Sequence, residues 1–177
     1  ERSDLRDQEA NFGDPGMFAS FDFAYLLLQV SVYVEGEPYV DALIAEGGYE
    51  ALAVAFTELA LTSEQIMERS PEIDLVPVDV AMPSVDGEVV SEGIGGQVIL
   101  DSLFTGTFVA SGDAATGWGG DALVFYRADG QSCMRWDIVM DSAADEEELF
   151  AGLAEWTALR GGAVSIVDGR VRLDRCA

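Results

Sequence analysis

The sequence predicts an α+β fold: N-terminal helices, then an antiparallel sheet of two hairpins with a helix packed across it, in the order ββ-α-ββ. Three observations predict it. Alternating apolar residues flank two Asp-Gly dipeptides, Asp129-Gly130 and Asp168-Gly169, the strongest short hairpin signal. A capped stripe of helical period lies between those hairpins. Ahead of them, apolar residues recur at helical spacing between glycine and proline breakers.

The first segment, 1–16, is polar and ends in Pro15-Gly16, so a linker or severed end is expected. Residues 17–177 are expected to form one α+β domain, helical over 17–110 and ββ-α-ββ over 118–177. From Met17 to Val34 the pattern fits a buried helix, turning extended where Val30, Val32 and Val34 alternate. "FAYLLLQVSVYV", Phe23 to Val34, is too short to span a bilayer and is expected in the core. Pro38 stands where a helix starts and Gly47-Gly48 where it stops. Tyr49 to Leu61 sets Leu52, Phe56 and Leu59 at helical spacing. In "LTSEQIMERSP", Thr62 and Gln65 match a capping box and Pro71 closes the helix. Residues 73–89 are expected to be extended, with Pro77 and Pro83 restricting them to an edge strand or loop. "GQVILDSLFTGTFV" is expected to be a helix and "ASGDAATGWGG" a loop.

Folding about Asp129-Gly130 pairs Phe125 with Met134 and Leu123 with Trp136. These four share a face with Ile138, while Val124, Tyr126, Cys133, Arg135 and Asp137 take the other, polar side. Asp141 or Ser142 caps the next helix, whose Leu149, Phe150, Leu153 and Trp156 form its buried stripe. Gly161-Gly162 ends it. In the second hairpin Val164, Ile166, Val171 and Leu173 share a face.

Cys133 and Cys176 both fall on the side away from the apolar face. If the two hairpins are neighbours, the thiols meet in a disulfide and imply an oxidising compartment. If not, they are two separate thiols.

Composition narrows the function. The chain of 177 residues carries a formal charge of −24 and no His. Its nine basic residues are all Arg, and only Arg2, Arg6 and Arg69 offset the acid before Ala122. Such a chain repels phosphate backbones and anionic lipid, so nucleic acid and membrane insertion are not expected as partners. The acid suits solubility or high salt, or it collects a cation or a basic protein partner. Without His there is no Ser-His-Asp triad and no His-ligated zinc. "GIGGQ", Gly93 to Gln97, lacks the GxGxxG spacing and reads as the start of a helix or a turn.

The candidate ligand-facing residues are Trp118, Asp121, Asp113 and Asp137. Asp113 and Asp121 with loop carbonyls offer hard oxygen ligands for calcium, without EF-hand spacing. Otherwise no cofactor and no metal ligand is expected. Asp121 and Asp137 frame the first hairpin, but a glycosidase-like acid/base pair needs one carboxyl raised by burial and a defined separation, and the sequence shows neither. Trp118, between glycines, is either an exposed binding aromatic or one packed beneath the backbone.

"VYVEGEPYVDAL", "GGYEALAVAF", "LTSEQIM" and "GWGGD…DG…C…W" occur in this order. Together they resemble the C-terminal half of exported, HExxH-bearing zinc metallopeptidases of actinobacterial type. The resemblance covers roughly residues 30–142, with Tyr49 where Trp is frequent and Ala122-Leu123 where Arg-Tyr is common. In such proteins the HExxH helix precedes this region and supplies two His ligands and a general-base Glu. This chain contains no HExxH, so no catalytic or zinc-binding residue carries over. The resemblance implies an exported α+β region that frames a cleft. The chain begins at Glu1, so either an HExxH segment lay upstream and was cleaved or is not included, or this is a lineage that lost the metal; a protein partner or the upstream part of the same precursor is the expected companion. The expected function is a non-catalytic, extracellular region of a metallopeptidase-like protein; the other reading is an acidic binding or assembly module.

Overall fold

The computed structural model describes residues 23–60, 62–69, 76–107 and 113–177. The expected linker 1–16, the start of the first helix at Met17, Pro71 and the loop residues 110–112 lie outside them.

Helices α1 (Phe23–Val34) and α2 (Gly36–Ala55) open the described chain. The α1 segment stays helical to Val34, so the expected extended turn at Val30–Val34 does not form. Its last turn is also not core: Val32, Tyr33 and Val34 are exposed. The break expected at Gly47-Gly48 is present as a kink within α2, with Gly48 at φ 66°. Beyond it the helix ends at Ala55 rather than Leu61. Phe56 and Leu59, expected on its apolar stripe, are therefore exposed. Helix α3 (Ser63–Met67) carries the predicted capping box: Gln65 N–H donates to Thr62 Oγ1, and Thr62 N–H to Gln65 Oε1.

Five strands follow, with two helices among them: β1 (Glu88–Gly93), α4 (Gly96–Thr107), β2 (Trp118–Ala128), β3 (Gln131–Met140), α5 (Ala143–Arg160), β4 (Ala163–Val167) and β5 (Arg170–Cys176). The sheet is antiparallel in the order β1-β2-β3-β5-β4. The fold is α+β, as predicted, but the sheet has a strand more than two hairpins supply. β1 escapes the periodicity test because "EVVSEG" is short, acidic and exposed along its length, and a bulge at Val90 interrupts its alternation.

Both hairpins turn where expected, with Asp129 and Asp168 at positive φ, and both registers match: Phe125 faces Met134, Leu123 faces Trp136, and Ile166 faces Val171. Helices α4 and α5 pack on one face of the sheet. Leu100 and Phe104 of α4, with Leu149, Leu153 and Trp156 of α5, close over Leu123, Trp136, Ile138, Val171 and Leu173. Ser142 caps α5 through Asp145 N–H.

The opposite face is not a solvated polar side. Val124, Tyr126, Cys133 and Asp137 are buried there, and Val85 packs against the first three. The proline-containing segment 76–87 crosses that region, with Arg135 donating to the Ser84 carbonyl at 2.6 Å. The alternation places residues on a face correctly but does not say that an irregular segment covers it.

Candidate binding cleft

Pro77 cannot donate to a β ladder, and the run from Val76 to Val85 stays irregular. Near its start it is pinned to β2: Val78 N–H donates to the Gly119 carbonyl at 2.7 Å. The Val78 carbonyl then lies so close to Gly120 that a Cβ there would collide with it. The glycines of "GWGGD" thus serve to bring a backbone segment down onto the start of β2.

Opposite this strap lies the start of α4. Asp121 Oδ1 accepts Gly95 N–H at 2.7 Å, and its Oδ2 accepts Gly96 N–H at 2.7 Å. Oδ2 also accepts the indole N–H of Trp118 at 2.8 Å. A carboxylate suits the positive end of a helix, and here it satisfies amides that α4 itself leaves unpaired. "GIGGQ" is therefore a helix start whose anion comes from within the chain.

Between strap and helix start lies a cleft of ≈ 450 Å³. Its third wall is the capped end of α3, Thr62 and Ser63. Val78, Met82 and Ile94 line it while keeping 51%, 44% and 69% of their surface exposed. Such an apolar lining with few polar groups suits an apolar ligand group. Asp79 also lines it and is exposed.

Of the predicted ligand-facing residues, Trp118 and Asp121 come together in this cleft, both buried in its wall at 3% exposure. Asp113 does not join them; it is exposed, and its carbonyl accepts Thr116 N–H in the preceding turn. Asp137 lies on the other face of the sheet. Asp121 pairs with Ile138 and Asp137 with Ala122, so strand alternation sends the two carboxylates to opposite sides. They form no acid/base pair. Asp137 is instead held by Arg172, Oδ1 to Nε at 2.6 Å and Oδ2 to Nη2 at 2.7 Å, with Arg170 at 3.9 Å. Asp113 and Asp121, possible calcium ligands, are not brought together in the cleft: Asp121 lies in its wall and Asp113 is not among its lining residues.

Glu64, which follows Ser63 in α3, is buried at 3% exposure. Burial pushes its carboxyl up to about 7, with the nearby charges of Asp141 and Glu68 adding to the effect. Burial also raises Asp141, which stands beside Asp145. At the second position of a helix a Glu ordinarily reads as a solvated dipole partner, so sequence offers no signal for its burial. Ile94 and Met82 are equally silent, because nothing local to them marks a cleft.

Cys133 and Cys176 are bonded, as direct neighbours in the β3–β5 register. Among the described residues no helix is long and apolar enough to cross a membrane, and no group of three or more His, Cys, Asp or Glu converges as a metal site. Zinc of the peptidase kind does not fit this donor set, because the chain has no His and its two cysteines are joined to each other.

Residues 48–175 match a family described as a domain of unknown function, DUF8575. The match spans well over half of the chain and begins at the α2 kink, and the chain belongs to that family. No curated protein and no solved structure matches it.

Proposed function

We propose that this DUF8575 domain is a non-catalytic region of an exported protein, and that it frames a cleft in which it engages a segment of another protein or of its own precursor. The observation that carries the reading is the state of Asp121. A general acid or base needs an oxygen free to reach a substrate, and this carboxylate is committed to Gly95, Gly96 and Trp118. What the cleft turns outward is Val78, Met82 and Ile94, a surface for apolar contact.

Export is supported by the Cys133–Cys176 bond, since such bonds persist in oxidising compartments. The resemblance of the "GWGGD…DG…C…W" pattern to exported zinc metallopeptidases supports a role beside an HExxH-bearing segment, which would have to bring the zinc ligands itself.

The test is binding of the intact chain to an array of extended peptides, apolar at alternate positions. Capture by the wild type, abolished by Ile94→Asp, is expected. Hydrolysis of a generic peptide by this chain with chelator present would overturn the non-catalytic reading.

Exposed Asp79 in the cleft lining and the charge of −24 favour a second reading within the same site, a partner that is basic as well as apolar. Its affinity would fall as salt is raised, in proportion to the charges neutralised.

A further inference from the structure

Helix α3 is a five-residue helix that forms one wall of the cleft, and two side-chain bonds tie it to α4. Ser63 Oγ accepts Val98 N–H at 3.4 Å, and Gln97 Nε2 donates to Glu68 Oε1 at 3.3 Å. Between these two contacts it buries Glu64. Glu64 keeps 3% of its surface exposed, and a carboxylate with so little water around it is costly unless it is paired or bonded. No hydrogen bond or ion pair reaches this carboxyl among the described residues.

Its surroundings oppose ionisation further. Asp141 at the end of β3 and Glu68 at the end of α3 act on it with like charge, and Asp145 of α5 stands behind Asp141. From α4 comes Gln97, whose buried Oε1 has no partner, and farther along Asp101. Glu46 of α2 and Glu58 beyond its end line the same hollow as Gln65. Arg69 follows Glu68 in sequence.

We propose that α3 is seated by a protonated Glu64, so that the cleft wall is assembled in acid and loosens as the carboxyl ionises. The proposal names the regulation of the cleft and rests on the cleft being the binding site. The direction follows from linkage. In the unfolded or unseated chain Glu64 ionises at its ordinary 4.5, while in place it holds its proton to about 7. The seat is therefore fully present below the lower value and is lost as pH rises through the upper one. Proton and partner would then be coupled, the partner binding better in acid.

Amide hydrogen exchange at residues 62–69 and 95–98, read without any peptide, tests the device separately from the binding reading. Protection, corrected for intrinsic exchange, should fall about tenfold or more between about pH 5 and about pH 8, a single unit of displaced titration being tenfold. Glu64→Gln should keep its protection at both. Equal wild-type protection at the two pH values, or the same loss in Glu64→Gln, would overturn the proposal. Should Glu64→Gln not fold, Asp141→Asn decides: removing the like charge should diminish the loss, and an undiminished loss overturns the proposal.

Discussion

The carboxylate of Asp121 accepts the indole N–H of Trp118 at 2.8 Å across one bulged turn of β2. The same group holds the first amides of α4, so one side chain fastens strand, loop and helix at the cleft. Asp121→Asn keeps the shape but turns an NH₂ toward a donor. A buried donor left unmatched costs its desolvation, and bonds to a charged acceptor are the stronger kind. We expect a loss of about 2–4 kcal/mol in urea unfolding, with a red-shifted Trp emission marking release of Trp118. Stability equal to wild type would contradict the fastening role.

Cys133 and Cys176 close a separation of 43 residues that contains α5 and the whole β4–β5 hairpin. In the chain-entropy account, closing such a loop stabilises by about 3–4 kcal/mol. Replacing both cysteines by Ala should lower the unfolding free energy by that amount. Reductant should destabilise the wild type and leave the double variant unchanged. A wild type indifferent to reductant would show that the link contributes nothing.

The strand parities that bring the two cysteines together were legible in the sequence, as were the hairpin turns, the capping box at Thr62 and the stripe of α5. Each is a local signal: a dipeptide, a period, a cap. What was not legible depends on distant chain. Val124 and Tyr126 sit on a face that alternation marks as polar, and the segment 76–87 covers it. That segment carries no periodicity because its prolines hold it out of any ladder. Phe56 and Leu59 have helical spacing, yet the helix stops at Ala55 and leaves them exposed. At the cleft, sequence singled out Trp118 and Asp121 but gave them the wrong partners. Asp121 was set beside Asp113 and Asp137, while its partners Gly95 and Gly96 come from the start of a helix 25 residues away. Backbone amides have no signature in a sequence.

Asp137 and Arg172 form a cross-strand pair in which the carboxylate is 1% exposed and the guanidinium is 22% exposed. Beside them, Arg135 bonds Asp174 at 2.7 Å, each partly exposed. Removing one member of a buried pair strands the other, at about 3–5 kcal/mol. The half-open setting of Arg172 lets water take over part of that cost. Asp137→Ala should therefore cost somewhat less, about 2–4 kcal/mol, and Arg135→Ala about 1 kcal/mol or below. A double-mutant cycle on Asp137 and Arg172 should give a coupling well above that of Arg135 and Asp174. Equal couplings would mean that burial does not set the strength of this ladder.

The charge of −24 makes the folded chain repel itself, since compaction brings like charges together. Monovalent salt shortens the reach of that repulsion, to about 3 Å at 1 M. The melting temperature should therefore rise by several degrees between low and molar salt, on the order of 1–2 kcal/mol for a domain of this size. Sodium and potassium should act alike, because screening depends on valence and concentration and not on a fitted site. Calcium at matched ionic strength separates screening from ligation. With both Asp121 oxygens already accepting amide and indole hydrogens, calcium should add no more than screening gives. A saturable rise at micromolar calcium would point instead to carboxylates gathered elsewhere on the chain, and would favour the cation-binding form of the acidic surface.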